Sequence, residues 1–111
     1  MTTNRAELSI AQDFATLPGP RKVEDGVNSG EQFLKEKLRP RFIESVKTNS
    51  ILYVNLDGVA GYPTSFLEES FGGLAREFGP DKVDKRLKFV CEDEPYLDEE
   101  IRRYIREANN K

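Results

Sequence analysis

Residues 51–78, ILYVNLDGVAGYPTSFLEESFGGLAREF, constrain the fold more than any other stretch of the chain. Ile51 to Leu56 is rich in β-branched and aromatic residues and reads as a strand. Its near-continuous hydrophobicity predicts cover on both faces. Asp57-Gly58 ends it with turn chemistry. The turn delivers two adjacent hydroxyls, Thr64 and Ser65, to a helix expected from about Ser65 to Phe78. Leu67, Phe71, Leu74 and Phe78 then fall on one helical face, and Gly79-Pro80 closes the helix. Gly72-Gly73 inside it costs about 1 kcal/mol per glycine relative to alanine. Close approach of the helix backbone to a neighbouring element would offset that cost.

The flanking sequence supplies further elements. Glu7 to Ala11 alternates apolar and polar residues and reads as a short strand. Residues 12–28 hold Pro18, Gly19, Pro20, Asp25, Gly26 and Asn28 and are read as a long loop with a small hairpin around Arg21–Val23; a connection of that length is either functional or conceals structure. Ser29 and Gln32 have the spacing of a capping box, and Phe33, Leu34 and Leu38 mark the buried stripe that follows. Pro40 is expected to break or kink that helix, with Phe42, Ile43 and Val46 starting a second stripe. Leu87 to Cys91 is a third strand. Pro95 opens a last helix with Leu97, Ile101, Tyr104, Ile105 and Ala108 on one face. Asp98–Arg102 and Glu99–Arg103 are spaced to pair on its outer face. Strands alternating with helices predict an α/β fold: a small, mainly parallel sheet of three or four strands with right-handed crossovers and helices packed against it.

The 111 residues fit one domain over 1–111, with residues 1–5 frayed. A net charge of −3 disfavours nonspecific nucleic-acid binding. No apolar run is long enough to span a bilayer, and the first residues lack the apolar core of a signal peptide. One cysteine and no histidine point away from disulfides and zinc and fit a reducing cytoplasm. No cofactor and no membrane association are expected. The oligomeric state stays open.

Each candidate residue carries two readings. Ser65 with Glu68 three residues on has the capping-box pattern; Thr64 and Ser65 are equally phosphorylation candidates, because a phosphoryl group at a helix start meets free amides and a favourable dipole. Asp57 lies where open α/β sheets place their sites, yet Asp-Gly is also a plain turn. Arg21, between turns, is an anion-binding candidate or a solvated loop charge. Tyr62 is expected to be exposed beside the hydroxyl pair, with Tyr53 and Phe66 in the core. Cys91 reads as a small buried apolar side chain, and Glu92-Asp93-Glu94 as a helix-start charge bias. No nucleophile–base pair is visible, so no catalytic residue and no metal ligand is assigned.

The pattern V-N-L-D-G-V-x-x-Y-x-T-S-F-L-E-E resembles the STAS-like domain family of bacterial proteins, whose parent fold is that of the anti-sigma-factor antagonists. The likeness runs from Ile10 to about Ile105, is strongest over 51–78, and extends to Asp13-Phe14 and Pro18-Gly19-x-Arg21. In the antagonists an Asp-Ser-Ser-Gly-Leu motif opens a helix, and one serine is phosphorylated by a histidine-kinase-like ATPase. Laid on this chain, the motif falls at Pro63, Thr64, Ser65, Phe66 and Leu67. Pro63 stands where the family has aspartate, and Phe66 where it has glycine. The resemblance implies a STAS-like fold and a noncatalytic regulatory domain docking on a protein partner, such as a histidine-kinase-like ATPase. Its docking surface would use Tyr62, Thr64, Ser65, Glu68, Glu69 and Asp57. The alternatives are a small-ligand or anion binder or enzyme subunit using Arg21 and Asp57, or an oligomerising accessory protein.

Overall fold

The computed structural model describes residues 6–108; the expectation of a frayed 1–5 lies outside them. The elements run β1 Ala6–Ser9, α1 Ile10–Asp13, α2 over 30–47, β2 Leu52–Asn55, α3 over 64–78, α4 Pro80–Arg86, β3 Leu87–Val90 and α5 Leu97–Arg106. The three strands form a wholly parallel sheet in the order β1-β2-β3. Leu8, Val54 and Phe89 share one register row, and Glu7, Tyr53 and Lys88 the next.

One face of this sheet carries the core. Leu8, Leu52, Val54 and Leu87 are buried together with Phe33, Phe42, Phe66, Phe71, Leu74 and Ile101. β2 alternates buried and half-buried residues. The expectation of a strand covered on both faces is therefore corrected: Tyr53 and Asn55 line a partly open side. The structure is a two-layer α/β domain, with the buried side of the sheet facing the helices.

β1 is shorter than its hydrophobic alternation suggested, because Ser9 turns the chain into a helix. Its Oγ accepts from Gln12 N–H at 3.2 Å, and Asp13 Oδ2 accepts from Ser9 N–H at 2.8 Å, a reciprocal cap. Ile10 belongs to that helical turn, not to the strand.

Pro40 does not break α2. Residues Leu34–Leu38 widen into a π turn, in which Arg39 N–H reaches back to Leu34 O. The extra residue puts Pro40 in the first turn of the helical stretch that resumes at Arg39, where its missing N–H costs least. A second π turn, Glu68–Gly72, interrupts α3. There Ser70 Oγ donates to Phe66 O at 2.8 Å, a side-chain bond that competes with the helical ladder. The two widened helices pack closely. A β-carbon at Gly73 would lie 2.8 Å from Leu34 Cδ2, and one at Gly30 would lie 2.7 Å from Phe66 O. This is the close approach anticipated for Gly73; a β-carbon at Gly72 would meet only Glu68 and Arg76 of its own helix.

The segment 12–28 forms no hairpin; it holds a 3₁₀ turn at Val23–Asp25. Its limbs close on α2 instead. Gly30 and Glu31 N–H donate to Pro20 O and Arg21 O at 2.8 and 3.0 Å, and Ser29 Oγ accepts from Gln32 N–H at 3.0 Å. The first amides of α2, which no helical carbonyl can serve, are thus satisfied by the loop and its cap. The Gln32 side chain turns to Glu36 at 3.4 Å and does not complete the box. α4 has no counterpart in the sequence reading. It opens on Pro80 at its first position, so a residue read only as the terminator of α3 also initiates the next helix.

Candidate functional site

The turn after β2 and the start of α3 place most of the residues singled out by the sequence at one end of the sheet. Asp57 Oδ1 accepts from Asp93 N–H at 2.9 Å, and Gly58 N–H donates to Asp93 Oδ2 at 3.1 Å. Asp57 therefore clasps the β2 turn to the segment after β3. Asp93 serves that clasp, not a helix start; the acids in the first turn of α5 are Asp98, Glu99 and Glu100. Tyr62 is not the exposed aromatic the sequence suggested. Its hydroxyl donates to Leu56 O at 2.7 Å, and its ring lies 6.2 Å from that of Phe66. Burial, with Asp57 and Glu94 nearby, drives its pKa far above the ordinary phenol value. The exposed aromatic is Tyr96.

The capping box at Ser65 and Glu68 does not form. The helix starts one residue earlier, with Pro63 in the cap position and no side-chain cap. Proline supplies an extended ψ of 140° there but no oxygen on its side chain. Glu68 is drawn away by cations instead. It pairs with Arg21 Nη1, and its Oε2 accepts from Arg76 Nη1 at 2.7 Å. Glu69 pairs with Arg21 at 3.3 Å and Lys22 at 3.1 Å. Both glutamate side chains keep only 13% of their exposure. They face the 12–28 loop. Arg21 is more than a solvated loop charge: its Nη1 pairs with both carboxylates, which raise its pKa against the opposing effect of burial.

The hydroxyl pair itself lies at the surface. Thr64 is exposed and Ser65 half-buried. Thr64 lies close to the Tyr104 phenol, which donates to Glu100 Oε2 at 2.7 Å. Burial and Glu100 raise the Tyr104 pKa. Ser65 neither caps the helix nor bonds another side chain among the described residues. Phe66, in the position where the antagonists have glycine, is fully buried, its ring 5.6 Å from Phe33 and 6.2 Å from Phe14. It fixes the helix start from beneath. Beside this corner, Tyr96, Glu99, Glu100, Arg103 and Arg106 line an open depression of about 350 Å³. Sequence reasoning missed this rim because Glu99 and Arg103 have the spacing of an ion pair on a solvated helix face.

On α5, Arg102 Nε bonds Asp98 Oδ1 at 2.7 Å as the spacing predicts. Arg103 instead lies over the Tyr104 ring at 5.3 Å and forms no ion pair with Glu99. Cys91 is half-buried, and burial raises its thiol pKa. Among the described residues no group of three or more His, Cys, Asp or Glu side chains is disposed to hold a metal ion, and no helix is long and apolar enough to cross a membrane.

Comparison with known proteins accords with this geometry. A family model described as a STAS-like domain of unknown function matches residues 34–97. That span runs from the π turn of α2 through β2, the Thr64–Ser65 corner, α3 and β3 to the first residue of α5. No curated protein and no solved structure matches the chain. The match covers more than half of the sequence, and the chain belongs to the STAS-like domain family.

Proposed function

We propose that the protein is a noncatalytic regulatory domain that docks on a protein partner through the corner at residues 61–65, and that Ser65 is the hydroxyl whose modification controls docking. One observation carries this reading: Ser65 presents a hydroxyl at the first turn of α3 that has no cap or side-chain bond to satisfy. Thr64 lies beside the Tyr104 phenol, which bonds Glu100, so a phosphoryl group there would crowd that pair and face a carboxylate. Asp57 and Tyr62 hold the turn in shape and contribute at its edge, while Glu68 and Glu69 support the helix from the loop side. Tyr96 and the depression on α5 extend the surface. A histidine-kinase-like ATPase is the partner class that the family likeness suggests, and a cytoplasmic setting suits such a partner.

The test is affinity capture with quantitative mass spectrometry, comparing wild type, Ser65→Glu, Thr64→Glu and a Glu44→Lys control at an exposed position of α2, outside the proposed surface. The reading expects an ATPase-containing protein held by wild type and control. Its recovery should fall about tenfold with Ser65→Glu, as a new negative charge at an interface would cause. Equal recovery with all four proteins would rule the corner out.

A further inference from the structure

Among the described residues four large apolar side chains are exposed, and three of them lie on one loop: Leu17, Val23 and Val27, at 67%, 53% and 79%. Single exposed aliphatics are ordinary; three gathered on one short segment mark a contact surface. Looseness does not account for them. Gly19 N–H donates to Asn28 O at 2.7 Å, and Asn28 Nδ2 donates to Leu17 O at 3.3 Å. A β-carbon at Gly19 would stand 2.0 Å from Val27 O, so the two limbs lie together too closely for any other residue. Val23 N–H is held by Glu31 Oε1 at 3.0 Å. Arg21 and Lys22 fasten the segment to Glu68 and Glu69 of α3. A loop pinned at so many points has little freedom left to lose on binding.

Charge identifies the partner's chemistry. Arg21 and Lys22 are neutralised within the fold. Glu24 and Asp25, at the tip, are exposed and form no ion pair among the described residues. The outward side of the loop is therefore apolar and negative. We infer that residues 17–27 are a docking element for a protein partner whose contact surface is an apolar recess rimmed by lysine or arginine. Leu17, Val23 and Val27 fill the recess, and Glu24 and Asp25 meet the rim. This surface is separate from the Thr64–Ser65 corner, and either can fail without the other.

The probe is a phage-displayed library of random peptides, selected on the whole chain and counter-selected on a Leu17→Ser/Val27→Ser double variant. Enriched peptides should carry an aliphatic or aromatic residue flanked by lysine or arginine. Their synthetic forms should bind wild type about tenfold more tightly than the double variant, the loss typical of truncated interface side chains. Glu24→Lys/Asp25→Lys should cause a comparable loss that high salt reproduces, and Ser65→Glu should cause none. Both pairs of substitutions are at exposed positions, so their unfolding midpoints should match wild type; if the serine pair fails to fold, the lysine pair carries the same comparison. Enrichment that ignores the loop, or enrichment of acidic peptides, overturns the proposal. So does loop-dependent self-association by sedimentation, or loop-dependent binding to phosphatidylcholine vesicles.

Discussion

Arg21 on the loop and Glu68 in the widened turn of α3 form an ion pair that closes the loop onto the helix, and Arg76 holds the other Glu68 oxygen at 2.7 Å. One carboxylate thus sits between two guanidinium groups. Removing it leaves Arg76 without that carboxylate and Arg21 with only its longer pair to Glu69, at 3.3 Å, in a partly buried place. Glu68→Ala should cost about 1–3 kcal/mol in urea unfolding, more than Arg21→Ala, which leaves Glu68 its Arg76 partner. Limited proteolysis should open the 15–28 loop first in both variants. Equal costs would mean that the cations do not share the carboxylate.

Gly73 tests the packing of the two helices. Helix propensity alone makes Gly73→Ala stabilising by about 1 kcal/mol. The missing β-carbon instead makes room for Leu34 Cδ2, which would stand 2.8 Å away. The leucine methyl is the far end of a half-buried side chain and can shift, so the substitution should gain less than propensity allows, about 0–0.5 kcal/mol. In the Leu34→Ala background the same change should recover the full propensity gain, because the clashing methyl is gone. A double-mutant cycle by urea unfolding checks it; additivity would show that the contact is not felt.

Much of the architecture is legible in the sequence because it follows from periodicity. The stripes Leu67–Phe71–Leu74 and Leu97–Ile101–Ile105 are buried as their spacing requires, and the strand at Leu52–Asn55 stands where β-branched residues cluster. The site was less legible, for identifiable reasons. S-x-x-E at Ser65 has the form of a capping box, but Arg21, distant in sequence, and Arg76, eight residues further along the same helix, outcompete the helix amides for Glu68. Tyr62 reads as exposed from its turn neighbours, yet Leu56 O claims its hydroxyl. Pro40 reads as a break because propensity does not register that a π turn can absorb a proline. At Ser65 and Tyr62 a tertiary partner overrode a local rule, and at Pro40 the helix backbone itself adjusted.

Tyr62 also supplies a pH dependence. Its phenol ionises near 10.0 in the unfolded chain and well above that when folded, because burial penalises the phenolate. The unfolded state then binds fewer protons than the folded state above pH 10, so its contribution is whole below that pH and is lost as pH rises towards the folded value. Tyr62→Phe should cost about 1 kcal/mol at neutral pH through the lost bond to Leu56 O. It should also flatten the decline in stability above pH 10 relative to wild type. Parallel alkaline curves for the two proteins would contradict this.

Arg102 protects the free edge of β3. It bonds Asp84 O, Asp84 Oδ1, Leu87 O and Asp98 Oδ1 at 2.7–3.0 Å, and its guanidinium lies 5.1 Å from the centre of the Phe89 ring. An ammonium cannot reproduce that planar fork. Arg102→Ala should lower stability by about 2–3 kcal/mol, and Arg102→Lys should recover less than half of the loss. Covering an edge carbonyl also limits pairing with another strand. Light scattering of Arg102→Ala should accordingly show more aggregate on heating than an equally destabilised Leu34→Ala variant.

The comparison of Ser29 with Ser65 separates a structural hydroxyl from one kept for another purpose. Ser29 is fully buried and its Oγ accepts from Gln32 N–H at 3.0 Å. Ser29→Ala should cost about 1 kcal/mol or more, because it strips a true cap and leaves a buried amide unserved. Ser65 sits inside the first turn of α3 with Pro63 already in the cap position. Ser65→Ala should be neutral or stabilising by a few tenths of a kcal/mol, since alanine is the better helix former and no bond is lost. Urea midpoints of the two variants decide the matter. If Ser65→Ala loses as much as Ser29→Ala, the Ser65 hydroxyl is a cap, and its place in the docking corner needs no further function to explain it.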